Sequence, residues 1–94
     1  MVEKIMTLHP QQGKQGVNID KARYDQVRVA ILDVLRNAGE VTFTRLVEAV
    51  NEMLAGRFDG SISWYVTTVK LDMEARGEIE RILGSSPQRL RLVR

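Results

Sequence analysis

The chain has no cysteine and only one histidine and two prolines among its 94 residues. Without cysteine there is no disulfide framework and no thiolate nucleophile or metal ligand, which is compatible with a reducing cytoplasm. The single histidine, His9, has no second histidine to complete a zinc site and no catalytic partner set around it. We therefore expect no enzymatic activity, no metal ion and no cofactor.

Long apolar runs are also missing. No stretch approaches the roughly 18 apolar residues that a transmembrane helix needs, and the N-terminal apolar run is too short for a signal peptide. The hydrophobic fraction of 44% and charged fraction of 28% are ordinary for a globular protein. We expect a cytoplasmic protein with one modest core and no membrane partner.

The first 19 residues differ in composition from the rest. Pro10, Gly13 and Gly16 rule out a helix through most of this segment. Its apolar residues, which could form a short extended stretch, are Ile5, Met6 and Leu8. We predict an N-terminal arm over residues 1–19, ordered only where it docks, and one folded domain over residues 20–94.

Two amphipathic helices are predicted in the first half of that domain. Asp20 is a good N-cap for the first helix, and Gly39 is a good residue to end it. Its predicted buried stripe consists of Tyr24, Val27, Ile31, Val34 and Leu35. Residues 40–43 alternate like a very short strand, and Thr42 or Thr44 then caps a second helix. The apolar positions of that helix are Leu46, Val47, Val50, Met53 and Leu54.

A third helix is the most clearly delimited element of the sequence. Ser61 is a good N-cap, and Gly77 can take the left-handed conformation that closes a helix. At about 100° per residue, one stripe between them is apolar. It consists of Ile62, Val66, Val69 and Met73.

The C-terminal residues 78–94 predict a basic hairpin, since two β-like runs flank a Gly/Ser/Pro turn. Here two glutamates stand against four arginines, namely Arg81, Arg89, Arg91 and Arg94. Such a hairpin can approach a phosphate backbone, or it can be an edge ribbon protected by charge. The order of elements predicts a mostly α fold with a small antiparallel β hairpin, an α+β domain of the winged helix-turn-helix type.

Residues 73–81, MEARGEIER, resemble the stretch with which bacterial winged-helix regulators leave the recognition helix and enter the wing. Glu78 departs from that pattern, because those regulators usually carry a second apolar residue there. The segments GKQGVNID and FDGSISWYVTTVKLDMEARG also resemble a small family of uncharacterised bacterial winged-helix proteins. The resemblance to the winged helix-turn-helix superfamily covers residues 20–94.

This resemblance implies a recognition helix over residues 61–76, a wing over residues 78–94 and double-stranded DNA as the ligand. The function it implies is a DNA-binding module, a small bacterial transcriptional regulator. The expected groove contacts are Ser61, Ser63, Thr67 and Thr68. The expected phosphate contacts are Lys70, Arg81, Arg89 and Arg91.

The outer face of the third helix also allows a different function. Trp64 and Leu71 lie on one line of the helix, while Asp72 and Glu74 nearby would repel phosphates. Three interpretations follow for the Trp64/Leu71 pair: the arm covers it, a homodimer or protein partner contacts it, or Trp64 stacks against nucleic acid. The alternative function is therefore a protein-interaction or dimerisation winged helix without DNA binding.

Overall fold

The computed structural model of the chain describes residues 2–84 and 86–93. Arg94, which the sequence analysis assigns to the basic hairpin, lies outside these residues. The elements run in the order β1 (Lys4–Met6), β2 (Asn18–Asp20), α1 (Lys21–Ala38), β3 (Glu40–Thr42), α2 (Phe43–Leu54), α3 (Ile62–Ala75), β4 (Ile79–Arg81) and β5 (Arg89–Leu92).

The N-terminal segment forms an antiparallel hairpin in which β1 pairs with β2. Just beyond β1, the buried Thr7 donates to the Val17 carbonyl from its backbone N–H (2.8 Å) and from Oγ1 (3.0 Å). Gly16 packs so closely that a Cβ there would lie 2.0 Å from the Thr7 carbonyl oxygen. We call residues 4–20 the arm hairpin and residues 8–15 the arm loop.

The ends of α1 are set by local hydrogen bonds. Asp20 Oδ1 accepts from the backbone N–H groups of Ala22 (2.8 Å) and Arg23 (3.3 Å), which otherwise have no partner in the first turn. At the other end Gly39 has a φ of 78° and donates its N–H to the Leu35 carbonyl (2.9 Å). Both predicted ends of this helix are confirmed.

The second helix begins where one of the two predicted threonine caps places it. Thr42 Oγ1 accepts from the Arg45 N–H at 3.1 Å, so Thr42, rather than Thr44, is the N-cap. The helix ends at Leu54, with the Ala55 N–H donating to the Asn51 carbonyl at 2.8 Å. Its buried residues are Leu46, Val50 and Leu54.

The third helix has the predicted cap at Ser61 and the predicted stop at Gly77. Two hydrogen bonds of a Schellman motif satisfy its last carbonyls, from Gly77 N–H to Glu74 (3.1 Å) and from Glu78 N–H to Met73 (2.9 Å). The motif turns the chain directly from α3 into β4, which fixes the start of the C-terminal hairpin against the end of the helix.

The C-terminal strands belong to a three-stranded antiparallel sheet in the order β3-β5-β4. Val41 on β3 lies opposite Leu90 on the central strand, and Ile79 on β4 lies opposite Leu92. Val41, Leu90 and Ile79 are buried and close the core below the helices. The fully buried helical residues of that core are Val27, Ile31, Leu35, Leu46, Val50, Val66, Val69 and Met73.

The expected α+β class is confirmed: the described residues form a compact fold of three helices with small antiparallel sheets. Two pairings exceed the prediction. The short strand β3 joins the C-terminal hairpin, and the arm forms a two-stranded sheet of its own. In each case the paired strands are separated in sequence, so no local sequence pattern predicts that they pair.

Candidate nucleic-acid interface

The first two turns of α3 lie on the surface and carry most of the predicted groove residues. Ser63, Trp64 and Thr67 are exposed, and Thr68 is half-buried. The exposed Ser61 is engaged as the cap, its Oγ accepting from the Trp64 N–H at 3.2 Å. Thr67 donates its hydroxyl to the Ser63 carbonyl at 2.9 Å and keeps its oxygen lone pairs open to solvent. The structure thus places these hydroxyl groups on one end of one helix.

Trp64 stands out among them because this large apolar residue is 46% exposed. Its ring lies edge-on to that of Tyr65, at 5.0 Å between centroids, and Tyr65 lies edge-on to Phe58 at the same distance. These edge-on contacts hold the indole ring on one side, and its remaining surface faces solvent. Leu71, about two helical turns after Trp64, is half-buried.

Lys70 is the predicted phosphate contact that the structure places away from solvent. The residue is only 4% exposed, with its Nζ 3.6 Å from Glu74 Oε2 and 5.2 Å from the centre of the Phe43 ring. Burial lowers the pKa of its amino group, while the adjacent Glu74 opposes that change. Lys70 is therefore buried beside Glu74 and the Phe43 ring of α2 and does not face solvent.

Glu74 links Lys70 to the C-terminal hairpin. Arg81 Nε on β4 donates to Glu74 Oε1 at 2.9 Å, and the Glu74 side chain is only 7% exposed. The expectation that Glu74 would repel phosphates at the outer face of α3 is wrong, because Arg81 at the start of the hairpin pairs with its buried carboxylate. A carboxylate buried between two cations adds no negative charge to the surface.

Asp72 is buried on the other side of α3, so the expectation that it would repel phosphates is also wrong. The residue is 0% exposed. Its carboxylate accepts hydrogen bonds from the Leu8 N–H (2.8 Å), from the Tyr24 hydroxyl and from Arg76 Nε (2.9 and 3.0 Å). Burial, together with this hydrogen bond to Asp72, raises the pKa of Tyr24 above its ordinary value.

These contacts decide one of the interpretations of the Trp64/Leu71 pair. The arm hairpin docks on the C-terminal half of α3, where Leu8 meets Asp72 and Ala75 shares a pocket with Thr7. Trp64, about two turns earlier in the helix, stays exposed. The arm therefore does not cover Trp64, and contact with a protein or with nucleic acid remains open for it.

The remaining predicted phosphate contacts lie on the C-terminal hairpin. Arg91 Nε contacts Glu80 Oε2 at 2.7 Å, and Arg89 Nη1 lies 3.8 Å from Glu40 Oε1. Both arginine side chains are about half exposed, as is that of Arg81. Exposed ion pairs of this kind contribute about 0–1 kcal/mol, so a phosphate can compete for such arginines.

Other kinds of site find little support in the residues that the structure describes. Among residues 2–84 and 86–93, no three acidic or histidine side chains come together as metal ligands. No helix in that part of the chain is long and apolar enough to cross a membrane. Hydroxyl groups, an exposed tryptophan and surface arginines are what this side of the molecule offers.

Fold and surface together define a small α+β domain whose third helix is exposed at its N-terminal end and covered at its C-terminal end. The chain belongs to a family of unknown function, DUF6958, which matches residues 4–90. The match begins at the first strand of the arm hairpin and reaches β5, so the family covers the arm as well as the helices. Neither the curated proteins nor the solved structures gave a match to the chain.

Proposed function

We propose that the chain is a winged helix-turn-helix module that binds double-stranded DNA and acts as a small transcriptional regulator. In this assignment α3 is the recognition helix and residues 78–94 form the wing. The order helix, strand, two helices, hairpin from α1 to β5 supports it, as does the sheet order β3-β5-β4. In that arrangement the first strand pairs with the far strand of the wing, and the wing lies beside the recognition helix.

The observation that supports the DNA assignment is that α3 exposes no acidic side chain. Residues 60–71 contain no Asp or Glu. The two acids that follow, Asp72 and Glu74, are buried and paired with Arg76 and Arg81. The exposed turns of α3 therefore present hydroxyl groups and no carboxylate. The exposed acid just before them, Asp59, is paired with Arg23 at 2.7 Å, so a phosphate backbone can approach with little repulsion.

The wing would supply the charge. Arg89 and Arg91 alternate with the buried Leu90 on the central strand, so both project from the same face of the sheet. Each is held only by an exposed ion pair, and exchange of a carboxylate for a phosphate would cost little. Binding of this kind depends steeply on salt, because each contact releases counterions from the DNA.

A second function is favoured by the exposure of Trp64. A large aromatic residue that is nearly half exposed and stacked from one side is typical of the residues that dominate protein interfaces. A homodimer or another protein could use it, with Leu71 beside it. This protein-interaction module would need no charge on the wing.

The test is the salt dependence of binding to a short fluorescein-labelled duplex of random sequence, followed by anisotropy. For Arg91→Gln we expect weaker binding and a log–log salt slope that is smaller by about 0.9. Lys21→Gln is the matched control, because Lys21 is also an exposed cation in a short ion pair, 2.8 Å from Asp25, but lies on α1. Its slope should equal that of the unaltered chain.

The two functions separate in this experiment. If the unaltered chain does not bind the duplex even at low salt, the DNA assignment fails and the protein-interaction module is the better explanation. If Arg91→Gln and Lys21→Gln behave alike, the wing has no part in binding.

A further inference from the structure

Acidic residues are distributed unevenly along the chain. Three long stretches contain none at all: residues 4–19, residues 60–71 and residues 81–94. They correspond to the arm, to the exposed turns of α3 and to the wing beyond the start of β4. The lysines and arginines in these stretches are Lys4, Lys14, Lys70, Arg81, Arg89, Arg91 and Arg94.

The fold brings these three stretches together around α3. The arm joins the helix through the Leu8 N–H and Asp72, and the wing joins it through Arg81 and Glu74. A cleft of about 450 Å³ lies between the arm and the C-terminal hairpin, lined by residues 9–11 of the arm loop, by Glu74 of α3 and by residues 79–81 of β4. The arm loop is thus a neighbour of the wing, on its free edge strand.

The arm loop has a defined shape at this position. A turn closes it, with the Lys14 N–H donating to the Gln11 carbonyl at 3.2 Å and Gly13 at a φ of 85°. Thr7 and Gly16 lock its base through their close backbone packing. The loop therefore presents Lys14 from a fixed support.

Lys14 also differs from the cations of the wing. It is exposed, and the structure pairs it with no carboxylate among the described residues, whereas Arg81, Arg89 and Arg91 each have one. The acids that join the arm and the C-terminal hairpin to α3, Asp72 and Glu74, are buried, and the exposed Glu80 beside the arm loop is paired with Arg91. The exposed Lys14 ammonium group is therefore available to a phosphate.

We propose that the arm loop is a second contact with the DNA backbone, in which Lys14 binds a phosphate beside the wing while the N-terminal turns of α3 enter the groove. This inference rests on the proposed function and extends it from two contact elements to three. It also gives the arm a role in recognition. The duplex would be held at both sides of the C-terminal half of α3.

The experiment compares Lys14→Gln with Lys4→Gln by anisotropy on the same labelled duplex. Lys4 is the matched control, because it lies in the same hairpin, is exposed and belongs to the same acid-free stretch, but it sits at the far end from the loop. For Lys14→Gln we expect several-fold weaker binding at about 50 mM salt and a slope smaller by about 0.9. Its further loss of affinity between about 50 and 200 mM salt should be about threefold smaller than that of the unaltered chain. Lys14→Arg should restore binding.

The outcomes distinguish this inference from the function on which it rests. If the unaltered chain binds with a steep salt slope, and Lys14→Gln matches Lys4→Gln, the arm contact is refuted and the DNA-binding function stands. Equal weakening by both variants also refutes it, since that reports a general loss of charge. If the unaltered chain does not bind the duplex, the proposed function falls and the arm contact falls with it.

Discussion

Replacement of Asp72 by Asn should show how much the docking of the arm on α3 contributes to the stability of the domain. The carboxylate is completely buried and accepts hydrogen bonds from three separate parts of the chain, namely Leu8, Tyr24 and Arg76. Asparagine is nearly the same size, so the change creates no cavity. It removes the charge and replaces one acceptor oxygen by an amide NH₂ group. That NH₂ group is a donor, so it faces another donor and cannot accept its hydrogen bond.

The expected cost follows from these contacts. Hydrogen bonds to charged groups contribute about 1.5–3 kcal/mol each, and a buried group left without a partner costs about 1–3 kcal/mol. Breaking a buried ion pair costs about 3–5 kcal/mol, but Arg76 is 39% exposed and solvent screens its share. We expect Asp72→Asn to lower the free energy of unfolding by about 3 kcal/mol. For a domain of this size that lowers Tm by about 12–24 °C.

Urea unfolding followed by far-ultraviolet circular dichroism near neutral pH measures this loss. Arg76→Gln is the comparison variant, since it removes only the partly exposed partner and leaves the Leu8 and Tyr24 hydrogen bonds to Asp72 in place, so it should cost less than Asp72→Asn. Hydrogen exchange of the Leu8 amide should accelerate in Asp72→Asn, because that amide loses its charged acceptor. A stability of Asp72→Asn within about 1 kcal/mol of the unaltered chain would refute the assignment of Asp72 as the buried anchor of the arm.

Two further measurements address Tyr24 and Trp64. Burial raises the pKa of Tyr24 above its ordinary value of 10.0, so the fold stabilises the neutral phenol. The contribution of this pKa shift to the free energy of unfolding is complete below pH 10 and is lost as the pH rises further. The unaltered chain should therefore lose its stability advantage over Tyr24→Phe in urea titrations at alkaline pH. A difference in free energy between the two that stays constant with pH would contradict this. If the chain assembles through the exposed ring of Trp64, Trp64→Ala should weaken assembly by about 2 kcal/mol or more in sedimentation equilibrium, and an unchanged oligomeric state would exclude that interface.

The ends of the helices could be predicted from the sequence because they depend on neighbours in the chain. Asp20 and Ser61 cap helices through N–H groups two or three residues away. Gly39 and Gly77 end helices by adopting positive φ, which glycine does at little cost. The apolar stripe of α3 followed equally from the helical repeat, and Val66, Val69 and Met73 are fully buried.

The surroundings of α3 could not be predicted in the same way. A helical wheel assumes one buried face, whereas α3 is covered on three sides over its C-terminal half: by the core, by the arm at Asp72 and by the hairpin at Glu74. The partners of these acids, Leu8 and Arg81, come from the arm and from the C-terminal hairpin, and no spacing within the helix indicates them. Lys70 was assigned to the surface for the same reason, since the Phe43 ring that packs beside it belongs to α2.

The burial of Asp72 and Glu74 links the stability of the domain to the charge of its surface. The chain as a whole carries a net charge of only +2. Two of its acids, Asp72 and Glu74, are buried where other elements join α3, whereas Glu40 and Glu80 stay exposed in ion pairs with Arg89 and Arg91. Here Asp72 binds the arm to α3, and Glu74 binds the C-terminal hairpin to it. Each junction therefore supports the fold and, at the same position, removes a carboxylate from the face at which we propose that DNA binds.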